Sequence, residues 1–361
     1  MRRSPVCPCV AELVRPVGQA QWAMATCLAV TLGAILTITA AVGHAELGSA
    51  VGLGFVLTAV PSLPQELAAG LRLIALRTAT VIVGAGFVVV TVEVPGAHAV
   101  AVVVAAVCGS LIEKIGATAG LVVILTAIDV GASGATHVPW WNVWPYATGS
   151  LTVLMAWLAW WCVARVRGSG PEPAVSPSVG TTVVPYRHAA RVAVAVTAAV
   201  LVAQALPDDL VGGHWLITSV LLTIQPQRDQ TRTRIAQRLG GNAVGALIAA
   251  AVLGVQPPAP VVISVAVALF LLAMALRPVN YTWWAVTGPP VLLIVSEYPA
   301  LFPWYEGGVR LAMNLAGAVV VVLVVFGPTL LMRRDRARAS NNRIVYPKWR
   351  EGAAGDDPVD R

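Results

Sequence analysis

The chain has 361 residues, of which 57% are hydrophobic and 11% charged, and it carries a formal net charge of +7. Soluble domains carry about 25% charged residues, so the composition excludes a water-soluble globular protein and defines an all-α polytopic membrane protein. Its basic residues are scattered over many short segments, which excludes a nucleic-acid-binding patch and leaves the lipid bilayer as their partner.

The N-terminal tail, residues 1–19, carries Arg2, Arg3 and Arg15; its Cys7 and Cys9 form a lone C-x-C, a weak metal signal without further ligands. A helix needs ~20 largely apolar residues to cross the hydrocarbon core. Such runs predict spans near 20–42, 47–60, 73–92, 97–112, 117–133 and 145–164, a first six-helix unit over 20–165. The first run is too long for the apolar region of a cleaved signal peptide, and other spans follow it. The stretch VRGSGPEPAVSPSVGTTVVPYR, residues 166–187, is rich in Pro, Ser and Gly and predicts a cytoplasmic linker. Spans near 189–206, 211–225, 239–255, 259–276, 279–296 and 308–332 give a second six-helix unit over 188–332, followed by a tail over 333–361.

With twelve spans both termini share one side. Placing them in the cytoplasm puts 23 of the 24 Lys and Arg residues there, with Arg310 the exception. This asymmetry is the positive-inside rule, and it predicts a multi-pass protein of the plasma (inner) membrane. Glu46, Glu93, Asp129, Asp208, Asp209, Glu297 and Glu306 fall on the outer side. Arg228, Arg232, Arg234 and Arg238 form a cytoplasmic loop before span nine, the first three in contact with phosphate headgroups. Trp140, Trp141, Trp144, Trp215 and Trp304 fall near outer span ends, and Trp22, Trp157, Trp160, Trp161, Trp283 and Trp284 near inner ends. Indoles prefer the interface, so they read as anchors first and as an aromatic substrate platform second. Cys27, Cys108 and Cys162 lie within spans and carry no disulfide.

The halves repeat weakly. Span two ends in LTAVP (Leu57 to Pro61) and span eight in LTIQP (Leu222 to Pro226); RTATVIVGA begins at Arg77 and RLGGNAVGA at Arg238. Both of the latter place Gly-Ala, at Gly84 and Gly245, seven residues after the arginine. Units with an even number of spans share orientation, so the two six-helix repeats are related by an axis along the membrane normal. Gly241 and Gly245 make a G-x-x-x-G pair, whose small residues let helix backbones approach closely.

GHWLITSVLLTIQP followed by RTRIAQRLGGNAVGA, within residues 213–254, resembles the signature of the fusaric-acid-resistance-like family, which includes the aromatic acid exporters. His214-Trp215, Gln225-Pro226, Arg238, Gly241-Asn242 and Gly245-Ala246 stand at the positions of that motif, and VRLAMNLAGAVVVVL resembles the family's last span. Asn242 replaces the usual threonine, and the long soluble domain that many members carry between their halves is reduced to a short linker. The resemblance implies export of aromatic carboxylic acids or related small aromatic anions, driven by protons, with no cofactor or metal. It is compatible with a homo-oligomer.

Transport sites favour the midplane, where helices are interrupted. Span eleven contains Thr287-Gly288-Pro289-Pro290, which predicts a broken helix. The equivalent part of span five leads into Asp129, so these two spans are expected to line the pathway. Asp129 is either a proton carrier inside span five or an outer-interface residue. Arg310 either pairs with a substrate carboxylate or makes an i,i+4 pair with Glu306. Asn314 and Asn242 either donate to substrate or join helices, and His214 is either a proton relay or an interfacial cap. Glu113-Lys114 reads as a surface pair at a turn.

Two other classes remain open. GASG at Gly131–Gly134 is similar to the G-x-S-G of intramembrane serine proteases, but none of the five histidines falls mid-span to serve Ser133, so no enzyme is expected. A non-transporting membrane scaffold has no use for glycine and proline interruptions within spans. Uptake in place of export is the other alternative.

Overall fold

A computed structural model describes residues 15–60, 63–91, 93–94, 96–112, 114–132, 140–168, 185–206, 212–255, 257–297 and 306–344. Among them are twelve α-helices, one short 3-10 turn at Trp140–Val143 and no strand. The helices are α1 (Trp22–Ala41), α2 (Ala45–Ala59), α3 (Leu67–Val90), α4 (Ala97–Leu111), α5 (Thr118–Ala132) and α6 (Trp144–Val166). They continue with α7 (Pro185–Gln204), α8 (Gly213–Thr223), α9 (Arg228–Gly254), α10 (Ala259–Leu276), α11 (Tyr281–Glu297) and α12 (Glu306–Ile344).

Six are long and apolar enough to cross a membrane: α1, α3, α6, and the segments Tyr186–Gln204, Ala259–Leu276 and Gly307–Pro328. The apolar helices α2, α4 and α8, and α5 over Thr118–Gly131, are shorter. Val83, Met155, Leu247 and Leu323 are exposed apolar side chains. In water such a surface would be a liability, and in lipid it costs nothing. The molecule is a helical membrane protein.

In the first six helices, α1 packs on α2 and α6, α2 on α3, α5 and α6, α3 on α5 and α6, and α4 on α5. In the second six, α7 packs on α8 and α12, α8 on α9 and α12, α9 on α11 and α12, and α10 on α11. Every second-half pairing is a first-half pairing with both numbers raised by six. Across the halves α1 meets α10 and α4 meets α7, α2 meets α11 and α5 meets α8, and α5 touches α11.

Several expectations need correction. The arginine run is the first part of α9, which extends the expected span to Arg228. Arginine is a good helix former, and the Thr231 hydroxyl secures the start: it accepts from the Gln225 amide at 3.1 Å and lies 3.0 Å from the Gln227 carbonyl. At the C-terminus α12 continues to Ile344, well into the expected tail. Trp157, Trp215 and Trp284 are buried packing residues, whereas Trp22, Trp144 and Trp283 remain exposed as anchors should. Trp157 fits beside Gly70, where a Cβ would collide with its ring, and donates to the Pro64 carbonyl at 3.1 Å. Pro61, Glu113, Ser133, Gly134, Asp208, Asp209, Trp304, the first 14 residues and most of the linker lie outside the described residues.

The Gly-Pro-Pro segment does not break α11, which runs through Pro289 and Pro290 as one helix. The two prolines remove the N–H groups that would bond to the carbonyls of Ala285 and Val286. Those same two residues abut α9, where a Cβ on Gly241 would strike Ala285 and one on Gly245 would strike the Val286 carbonyl. Gly245 therefore sits against the freed Val286 carbonyl, where a Cα–H contact is a weak but recurring form of compensation at helix contacts. Pro290→Ala, which restores one intrahelical donor, is expected to raise stability by about 1–3 kcal/mol. Thermal unfolding of the purified protein in detergent checks this, and a lower midpoint would show that the interface depends on the freed carbonyl.

Candidate functional site: a buried carboxylate and a basic cavity

Asp129 stands in the last turn of α5 and is held by two hydroxyls. Ser49 Oγ donates to Oδ1 at 2.8 Å and Tyr146 Oη to Oδ2 at 2.5 Å. Ser49, on α2, also lies 2.8 Å from the Val295 carbonyl of α11. One knot thus joins α5, α2, α6 and α11. Sequence spacing placed Asp129 but neither partner, since they come from other helices, 80 and 17 residues away.

Small residues bring these donors together. Gly54 of α2 lies against the Tyr146 backbone, and Gly149 of α6 against the Val51 carbonyl and the Phe55 amide. Ser150 adds to the same seam, accepting from Thr58 at 2.8 Å and bonding to the Tyr146 carbonyl at 3.1 Å. Arg77, 2% exposed, donates to the Thr58 carbonyl at 3.0 Å, so it is a buried clamp on α2. Gly84, further along α3, faces Val122 of α5, much as Gly245 faces Val286 in α11.

The second half carries its own polar cluster. Arg238 donates through Nη2 to Asn314 Oδ1 at 3.1 Å and through Nη1 to Tyr281 Oη at 3.3 Å. Asn314 in turn donates to the Arg310 carbonyl at 2.8 Å, while its own carbonyl accepts from Ser219 at 3.2 Å. Arg310 stacks over the Trp215 ring at 3.7 Å, and His214 lies 4.5 Å from that ring. Arg238, Asn314 and Arg310 are all buried, and a buried charge without partners would be prohibitive. Asn314→Leu leaves the Arg238 Nη2 donor unmatched, and is expected to cost about 1–3 kcal/mol of stability, readable as a lowered unfolding midpoint. Asn242 is also buried, and neither of its amide atoms has a hydrogen-bond partner among the described residues. Thr287 returns its hydroxyl to the Trp283 carbonyl at 2.7 Å, and Gly288 packs against the Trp284 indole.

A cavity of about 820 Å³ opens between the halves. Residues of α2, α4 and α5 line one wall, and residues of α7, α8, α9 and α11 the other. Lys114, His188, Arg234 and Arg277 lie around it, at the basic end of the bundle. Along α5 the lining residue furthest from that end is Leu125, one turn before Asp129. On α11 it is Leu292, one turn before Val295. Both α5 and α11 contribute to the cavity wall, whereas Thr287, Gly288, Pro289 and Pro290 are not among its lining residues. Arg234 was expected at headgroups, yet its guanidinium lies 3.5 Å over the Tyr281 ring. Arg277 lies 4.9 Å over the Trp284 ring. It caps α10 just beyond the apolar span, and burial holds its pKa down to about 10, Tyr281 opposing and Arg234 adding to the shift. The cation therefore persists at neutral pH. A sequence signal for Arg234 existed, since it stands one helical turn before Arg238 on the same stripe.

The structure is thus a helical membrane bundle with buried charges and a cavity between its halves. Residues 195–324 match the family described as Fusaric acid resistance protein-like. Over 166 residues the chain is 26% identical to "Uncharacterized protein YhfK" of Escherichia coli (strain K12), covering 46% of this chain and 21% of that one. Over 75 residues it is 31% identical to "Uncharacterized protein ORF2" of Neisseria gonorrhoeae, covering 21% of this chain and 18% of that one. The chain thus spans about a fifth of the length of these relatives. No solved structure matches it.

Proposed function

We propose that the protein exports small aromatic carboxylates or related aromatic anions from the cytoplasm across the plasma membrane, driven by the proton gradient. Two six-helix repeats of like orientation flank the route, and both termini are cytoplasmic. The recurrence of helix pairings at an interval of six supports the duplicated plan. The observation that carries the reading is the cavity between the halves, which enters at the basic end and stops one turn short of the Asp129 knot. Such a compartment, accessible from one side and closed by a titratable group, is what alternating access requires. Asp129 is the proton carrier, and Ser49 with Tyr146 forms the closed gate around it. Arg310 and Asn314 hold the second half's outer end together, with His214 beside them.

The test uses inverted membrane vesicles and labelled benzoate, salicylate and cinnamate under an imposed proton gradient. Accumulation above empty-vesicle background is expected, and it should collapse with a protonophore. Movement only in right-side-out vesicles would establish uptake instead. A flat result across the panel would sink the substrate class.

A further inference from the structure

Three buried nitrogen atoms along one cavity wall have no hydrogen-bond partner among the described residues: Arg234 Nη1, Arg277 Nη1 and His188 Nδ1. Among the described residues, no Asp or Glu lines that cavity. Two guanidinium groups in a compartment with no carboxylate among its described lining residues are an unbalanced charge, and a buried cation needs an anion or a dense set of acceptors. Each guanidinium also lies over an aromatic face, Arg234 on Tyr281 and Arg277 on Trp284. Stacking fixes the plane of the fork while leaving its edge free to donate. Packing of this kind costs side-chain freedom that a purely topological arginine would keep. An arginine serving only the positive-inside rule would extend to the headgroups.

The geometry points to Arg234 and Arg277 as an anion-binding pair that takes the single carboxylate of an amphipathic organic acid, with His188 as a further donor. Paired forks suit the two oxygens of a carboxylate, each of which accepts a charge-assisted bond. Beyond the pair the cavity wall turns apolar, with Leu125 and Leu292 toward its closed end. A ligand with one anionic end and an unbranched or ring-shaped apolar body satisfies both regions at once. The ring then points toward the Asp129 knot and the carboxylate toward the basic mouth. A small, fully hydrated anion leaves the apolar end wet and gains only half of the contacts. The pair also explains why α11 begins with Tyr281 and Trp284 on one side: they orient the two cations that flank them. This assignment rests on reading the cavity as the substrate compartment, and it adds the residues that recognise the anion.

The test measures binding and transport separately. Purified protein in detergent is dialysed to equilibrium against labelled benzoate, against neutral benzamide and against inorganic phosphate. Benzoate is expected to bind, with benzamide and phosphate each weaker by roughly tenfold or more. Arg234→Gln and Arg277→Gln should each weaken benzoate by a similar factor and leave benzamide unchanged. Since each substitution removes a buried uncompensated charge, both variants should unfold at or above the wild-type midpoint, and only the wild type should be stabilised further by benzoate. Absence of benzoate binding to the wild type, benzamide or phosphate binding equal to benzoate, or variants that bind benzoate normally would each overturn the assignment. Benzoate binding that depends on both arginines but without movement in vesicles would sink the transport reading alone. Asp129→Asn should retain benzoate binding, which separates the recognition site from the proton-carrying one.

Discussion

Asp129→Asn is expected to reduce proton-driven movement in vesicles to the empty-vesicle level while the protein still folds. The asparagine carbonyl can accept from one of the two hydroxyls that now bond to the carboxylate, Ser49 at 2.8 Å or Tyr146 at 2.5 Å. Its amide adds donors where the site supplies donors, so one contact is lost or must rotate, at a cost of about 1 kcal/mol. That is small against the contacts that hold α2, α5, α6 and α11 together. What asparagine cannot do is exchange a proton. The carboxylate sits among hydroxyls that can donate to it when charged and accept from it when neutral, so both states are accommodated without rebuilding the helices. Counterflow, the exchange of labelled for unlabelled benzoate with no gradient, should survive in the variant if substrate can still cross. Loss of both activities would assign Asp129 to substrate passage, and full retention of driven movement would remove it from the mechanism. Tyr146→Phe offers a graded companion, since it deletes one donor and leaves the titratable group.

Much of the architecture was legible in the chain because lipid imposes simple demands. Long apolar runs located the twelve described helices in order. What the chain concealed depends on contacts between distant segments. Pro289-Pro290 suggests a break, yet α9 packs Gly241 and Gly245 closely on Ala285 and Val286, and the helix continues. Trp157 and Trp215 have the composition of interfacial anchors, but Gly70 and Arg310 supply partners that bury them. Arg234 and Arg277 match topology signals as well as Arg228 does. Only the placement of Tyr281 and Trp284 beneath them distinguishes a cavity lining from a headgroup contact. Asp129 was identifiable as an acid within an apolar run, whereas its setting came from Ser49 and Tyr146 on other helices.

Gly149→Leu is expected to be the most destabilising single change in the first half, and it should silence transport through geometry alone. A Cβ at Gly149 would overlap the Val51 carbonyl and the Phe55 amide, and a Cβ at Gly54 would overlap the Tyr146 backbone. Main-chain atoms of α2 and α6 touch directly at this seam, so no flexible side chain can move aside. In lipid there is little hydrophobic drive between helices, and close backbone contact is much of what holds such a pair. Forcing the helices apart forfeits those dispersion contacts and strains the hydroxyl chain of Thr58 and Ser150. Overpacking costs about 1–3 kcal/mol per added group in soluble cores, and alanine should fall in that range with leucine beyond it. The site should feel the same wedge, because Ser49 precedes Gly54 on α2 and Tyr146 precedes Gly149 on α6. Parting the helices separates both donors from Asp129. Gly240→Ala is the matched control: nothing lies within 4 Å of an added Cβ there, and glycine inside a helix is itself unfavourable by roughly 0.5–1 kcal/mol. Thermal unfolding in detergent should therefore rank Gly240→Ala at or above wild type, Gly149→Ala below it, and Gly149→Leu lowest or unfolded. Equal midpoints for Gly149→Leu and wild type would mean that α2 and α6 do not meet as described, and the carboxylate cage built on them would fall with that contact.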